Sequence, residues 1–127
     1  MKSIDHHYAK VAYQCVMQQS GATGSEAESY GRLCHKFPSM VMLNGLRLTA
    51  TYFYSNHKED PAYLRYLEDM GQALNFAEWN NIPESNTEYR HLSRNALRAS
   101  IWFKRYAEAI LHVNAEQTNL YKEGAQK

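Results

Sequence analysis

Apolar positions recur at three- and four-residue intervals along almost the whole chain, the period of helices that bury one face. Ser3 is placed to cap a first helix in which Ile4, Tyr8, Val11, Ala12, Cys15 and Val16 share one side, and Gly21 and Gly24 end it. Ser25 and Glu28 have the spacing of a capping box, opening a second helix with Tyr30, Leu33, Cys34 and Phe37 on its inner face. Pro38 lacks an N–H and suits a first helical turn, so it stops that helix and starts a third. From Pro38 to Ser55 the third helix is apolar nearly all round, through Met40, Val41, Met42, Leu43, Leu46, Leu48, Tyr52 and Phe53. It reads as the central, buried helix.

Asp60-Pro61 gives a fourth start, after which Tyr63, Leu67, Met70, Leu74 and Ala77 follow one inward line. Asn80-Asn81-Ile82-Pro83 interrupts the pattern, and Ser85 with Glu88 offers a second capping box. Tyr89, Leu92, Ala96, Ala99, Phe103, Ala107, Ile110 and Asn114 then mark the longest periodic run. A helix from Asn86 to Asn114 would be roughly 43 Å long, more than the width of a compact domain of this size, so its end projects or meets a partner. Residues 116–127 are polar and read as a frayed tail. The expectation is an all-α fold: a single compact helical bundle of about five to six helices over residues 1–127, with a long C-terminal helix.

Composition narrows the function. The 127 residues carry 14 Lys+Arg against 13 Asp+Glu, a formal charge of +1, which excludes a globally basic nucleic-acid binder. A 44% hydrophobic content is enough to build a core, and only three prolines and six glycines favour long helices over strands and turns. Cys15 and Cys34 belong to no CxxC or metal-ligand spacing and read as a reduced, cytosolic pair. The polar residues 1–7 already begin the first amphipathic period, with no secretory h-region ahead of it. The apolar stretch Met40 to Tyr54 is interrupted by Asn44 and Arg47 and is too short and polar to span a bilayer. A soluble, cytoplasmic protein without membrane contact is expected.

A search for catalytic chemistry comes up nearly empty. No glycine-rich phosphate loop, GxSxG or HExxH is present. Of the six histidines, the adjacent His6 and His7 point about 100° apart on a helix and cannot share one metal as an i, i+4 pair can; Cys34-His35 has the same defect. Glu26, Glu28, Glu68 and Asp69 stand at helix starts and on solvated faces. The reading is a protein that is not an enzyme and holds no cofactor or metal.

Charge on the last helix is more informative. Arg90, Arg94 and Arg98 follow i+4 spacing and Arg105 returns to their stripe, all within about 80° of one another. Residues 1–84 carry 7 basic and 9 acidic groups, residues 85–127 carry 7 and 4, so the two parts differ as −2 against +3. Guanidinia about 6 Å apart match the scale of a phosphate backbone and bind phosphate in bidentate fashion. The same stripe also reads as a solvated face with scattered partners such as Glu88 and Glu108. On the third helix Asn44, Arg47 and Thr51 form the one polar strip. Gly45 beside them costs about 1 kcal/mol relative to alanine mid-helix, and close approach of another helix is the simplest account of it. Trp102 lies off the inward line, where it could pack on a neighbouring subunit.

Two blocks carry a resemblance. Glu28-Ser29-Tyr30, Lys36-Phe37-Pro38-Ser39-Met40, Asn44-Gly45-Leu46 and Thr49, followed by Tyr89, Ala96-Leu97 and Trp102-Phe103-Lys104-Arg105-Tyr106-Ala107-Glu108-Ala109, resemble the small all-helical subunit of the type III-B CRISPR effector, the Cmr complex. Ser93 stands where the resemblance leads one to expect threonine, and residues after Asn114 have no counterpart. The resemblance implies a non-catalytic subunit that stacks in several copies, packs against the backbone and large subunits, and helps hold the CRISPR RNA with its target RNA. It makes Lys104 and Arg105 the family-like cations; Arg47, Arg90, Arg94 and Arg98 rest on spacing. Two alternatives stay open: a purely protein-bridging scaffold, and the small subunit of a related type III-A effector.

Overall fold

A computed structural model describes residues 3–21, 24–84 and 86–112. Five α-helices follow in order: α1 (Ile4–Gln19), α2 (Gly24–Asn44), α3 (Leu46–Asn56), α4 (Ala62–Leu74) and α5 (Asn86–Tyr106), the last continuing into a π-helical turn, Ala107–Leu111. The described residues contain no strand. Helix α5 lies against α1, α2 and α4, while α4 also packs on α1, α2 and α3. All five helices thus close on one buried cluster.

Several local signals act as the sequence predicts. The Ser3 hydroxyl accepts the His6 N–H at 3.2 Å and caps α1. The Asp60 carboxylate accepts the Ala62 N–H at 3.0 Å, with Pro61 immediately before α4. Tyr8, Ala12, Cys15 and Val16 form the buried side of α1. Ala96, Ala99, Phe103 and Ala107 are buried along α5 and its π turn, with Tyr89, Leu92 and Ile110 packed at the margin.

The second and third helices differ from expectation. Pro38 does not divide them: α2 runs through it to Asn44, and the break falls at Gly45. Gly45 has φ 86 and ψ 161, a conformation L side chains rarely adopt. It is therefore a hinge rather than a mid-helix glycine, although Tyr89 does approach closely: its hydroxyl stands 3.3 Å from where a Cβ would sit. The hinge turns Leu46, Ala50 and Phe53 back into the core that Phe37 and Val41 have already entered. The reading of a helix buried on all sides also fails, since Met42, Leu43 and Leu48 at this corner are 76%, 82% and 56% exposed.

Smaller corrections concern the ends. Ser25 lies inside α2 rather than capping it, and Glu28 pairs instead with Arg32 at 3.0 Å. Helix α4 stops at Leu74 because Asn75 turns left-handed (φ 54), so Ala77 lies beyond it. Ser85 of the second capping box, Asn114 and the tail 116–127 lie outside the described residues. The final helical stretch ends at Leu111, where His112 turns left-handed (φ 60).

Tyr66 on α4, missed by the inward line read from the sequence, sits at the centre. Its ring lies 5.8 Å from Tyr30, 5.1 Å from Phe37, 5.8 Å from Phe53 and 5.4 Å from Phe103, joining α2, α3 and α5. The Tyr66 hydroxyl is fully buried and has no hydrogen-bond partner among the described residues. A buried, unpaired hydroxyl costs about 1–3 kcal/mol. Tyr66→Phe is therefore expected to raise the urea midpoint of unfolding, whereas Tyr66→Ala should lower stability by about 3–5 kcal/mol through the cavity it leaves.

Candidate nucleic-acid interface

Packing on one side of α5 dictates what the other side presents. With Ala96, Ala99 and Phe103 inward, Arg90, Arg94, Arg98 and Arg105 are all exposed. Their electrostatic states differ. Arg90 and Arg94, one turn apart, have no ion pair or hydrogen bond among the described residues. Arg98 instead grips Asp5 of α1 in bidentate fashion, Nε to Oδ1 and Nη2 to Oδ2, each 2.8 Å. That hydrogen bonding, with a smaller contribution from Trp102, holds the Asp5 carboxyl below its ordinary range. Arg105 lies over the Trp102 ring, 5.1 Å from its centroid. Lys104, one residue before it, is half-buried.

Trp102 has intramolecular neighbours on several sides. Its half-buried ring stacks on Tyr106 at 6.4 Å, and Tyr106 meets Tyr13 of α1 edge-on at 5.4 Å. Together with Asp5–Arg98, this ladder fastens α1 to α5 along the margin of the arginine stripe.

Arg47 is engaged within the fold. Its guanidinium donates to the carbonyls of Ile82 (3.3 Å) and Pro83 (2.9 Å) and lies 5.1 Å from the Tyr89 ring centroid. The Tyr89 hydroxyl in turn accepts the Arg47 backbone N–H at 3.0 Å. These bonds tie the segment entering α5 to the start of α3. The polar strip Asn44, Arg47 and Thr51 does come together, lining an open cleft of about 510 Å³ with Leu48, Glu84, Asn86 and Tyr89.

The structure also assembles a cation that spacing could not reveal. Lys36 of α2 donates to the hydroxyls of Tyr52 (3.1 Å, α3) and Tyr63 (3.3 Å, α4) and lies 4.7 Å from the Tyr52 ring centroid. Burial works against the ammonium, but the two phenol hydrogen bonds outweigh it and hold Lys36 above its ordinary pKa. Lys36 stands inside the first resemblance block, yet its partners lie 16 and 27 residues away.

Charge inside the core is small and paired. The Asp69 carboxylate, read from the sequence as solvated, is buried; it accepts from Tyr30 at 2.6 Å and from Arg65 at 3.3 Å. Arg65 also bonds Gln18 of α1. Both cysteines are free and buried, and burial, with Asp69 beside it, pushes the Cys15 thiol up to about 12. Neither thiol is poised for nucleophilic chemistry. Among the described residues there is no group of three or more histidine, cysteine or acidic side chains placed to hold a metal, and no helix long and apolar enough to cross a membrane.

Comparison with known proteins decides the family. The family described as CRISPR-associated protein (Cas_Cmr5) matches residues 4–110, from the first turn of α1 into the π turn. The chain belongs to the Cmr5 family. A curated relative from Thermus thermophilus, named CRISPR system Cmr subunit Cmr5, is 28% identical over 116 residues, spanning 87% of this chain and 98% of the relative. The crystal structure of a CRISPR-associated Cmr5 family protein, also from Thermus thermophilus, superposes with a TM-score of 0.76 at 27% identity, again covering 87% of this chain and 98% of the other. The Cmr5 family match thus covers the helices that carry both resemblance blocks.

Within this Cmr5-family fold, Asp69 gives a testable pH dependence. Burial raises its carboxyl above the ordinary value, against the lowering effects of Tyr30 and Arg65. The folded state therefore binds this proton more readily than the unfolded chain does, so the contribution is present below the unfolded pKa and is lost as pH rises through the folded one. Urea unfolding of wild type and Asp69→Asn between about pH 4 and 7 should show the wild type gaining stability relative to the variant as pH falls.

Proposed function

We propose that this chain is a non-catalytic small subunit of the type III-B CRISPR-Cas (Cmr) ribonucleoprotein effector, working in the cytoplasm in antiviral defence. In this reading it stacks with copies of itself, packs against the backbone and large subunits, and touches the backbone of the CRISPR RNA and its target RNA. Membership of the Cmr5 family and the name of the Thermus relative, a Cmr subunit, support the place in the complex. The observation that carries the RNA contact is the pair Arg90 and Arg94, exposed one helical turn apart without partners among the described residues. Unpaired guanidinia about 6 Å apart are free to take phosphate oxygens without first breaking an ion pair.

Lys104 and Arg105 extend the contact along α5, with Arg105 braced on Trp102. Arg98 contributes by positioning, since its bidentate bond to Asp5 holds α1 beside the stripe. Arg47 orients the entry to α5 through the Ile82 and Pro83 carbonyls. The exposed part of Trp102 faces a neighbouring subunit at the edge of this surface.

A second reading, protein bridging without RNA contact, is favoured by one feature: the apolar corner of Met42, Leu43 and Leu48. Charge neutralisation separates the two. In the assembled complex, Arg90→Gln with Arg94→Gln should weaken guide–target duplex binding and flatten its dependence on salt by about 0.9 slope units for each phosphate that the variant no longer neutralises. Normal assembly with an unchanged slope would overturn the RNA contact and leave the bridging role.

A further inference from the structure

The Lys36 cluster has more hydrogen-bond donors than its internal bonds consume. Lys36 offers three ammonium N–H groups and Tyr52 and Tyr63 one hydroxyl each. Two ammonium hydrogens go to the two phenols at 3.1 and 3.3 Å. The two phenols also act on each other, Tyr63 lowering the Tyr52 phenol and Tyr52 raising that of Tyr63. One ammonium N–H and the Tyr52 hydroxyl hydrogen have no acceptor among the described residues.

These two donors are held in place rather than floppy. The three side chains come from three different helices, the Tyr52 and Tyr63 rings meet edge-on at 5.9 Å, and Tyr63 packs on buried Phe53 at 5.0 Å. Lys36 has no carboxylate within ion-pair distance among the described residues. Among the described residues, the exposed Glu59 carboxylate acts on Tyr52 and raises its phenol. A braced positive charge with two spare donors and no ion-paired carboxylate among the described residues is a receptor for an oxyanion.

We propose that Lys36, Tyr52 and Tyr63 form a docking point for a phosphate group, seated between the free ammonium N–H and the Tyr52 hydroxyl. The phosphate comes either from an RNA backbone, in which case the assignment rests on the RNA-contact reading above, or from a small phosphate or nucleotide, in which case it stands apart from that reading.

The test is an NMR titration of the full chain carrying carbon-13-labelled lysine and tyrosine, at constant ionic strength with chloride as the control. Inorganic phosphate, uridine monophosphate and a single-stranded oligouridylate without a terminal phosphate are the probes. Saturable shifts of the Lys36 ε-carbon and Tyr52 ζ-carbon, absent in Lys36→Gln, are expected with at least one probe. Tyr52→Phe removes one donor and should weaken binding about threefold to tenfold. Exposed Glu59→Gln, which leaves the packing untouched, should tighten it about twofold. A response to the oligouridylate assigns the site to RNA; a response to phosphate or uridine monophosphate alone supports the site and assigns it to small phosphates. Shifts that do not saturate with any probe, or that persist in Lys36→Gln, overturn the proposal. If Arg90→Gln with Arg94→Gln abolishes the oligouridylate response but leaves that to phosphate, the RNA contact and this site are separately established.

Discussion

The contact of Phe103 with Tyr66 sets the rotation of α5, and the exposed surface follows from it. Phe103 is the one large side chain fully buried among the small residues Ala96, Ala99, Ser100 and Ala107, and its ring meets Tyr66 at 5.4 Å. Small neighbours allow close approach to α1 and α2, while the ring acts as a peg that admits one angular setting. Turning the helix by one residue, about 100°, would withdraw the peg and drive cations toward the core. The arginine stripe faces outward because an aromatic cluster on the opposite side holds it there.

That constraint sorts cations which look alike in composition. Arg98 is held by Asp5, Arg47 by the Ile82 and Pro83 carbonyls, and Lys36 by two phenols. Each ties together elements distant in the chain. Arg90 and Arg94 are left with exposed, unpaired charge among the described residues. A net charge of +1 therefore coexists with a locally basic surface, because several of the charges are engaged in holding the fold together.

Local periodicity made the α5 inner line, the capped start of α1 and the Asp60-Pro61 entry to α4 legible before any coordinates. It failed where the outcome depended on a competition between local signals. Both Pro38 and Gly45 can interrupt a helix, but proline's penalty is offset when the following turns, here through Val41, bury apolar surface. The positive φ at Gly45 has no substitute. The same limit applies to the candidate site: the stripe could be read from i+4 spacing, whereas Asp5–Arg98 spans 93 residues and carries no local signature. Tyr66 escaped because α4 buries a broader face than the single line through Leu67 and Met70, and that face includes Asp69 and Gly71. Gly71 is required there, since an added Cβ would stand 2.4 Å from the Phe76 carbonyl oxygen.

Family membership and physical reading meet on α5. The Cmr5 match runs through residue 110, and within that span α5 combines a packed inner line with the outward guanidinia of Arg90 and Arg94, unpaired among the described residues. The central claim is that this outer surface meets RNA in the assembled effector. Ultraviolet crosslinking of the complex on a guide–target duplex, followed by mass spectrometry of the crosslinked peptides, tests it most directly. The account predicts RNA adducts on the peptides bearing Arg90, Arg94 and Lys104; adducts on other subunits with none on α5 would contradict it.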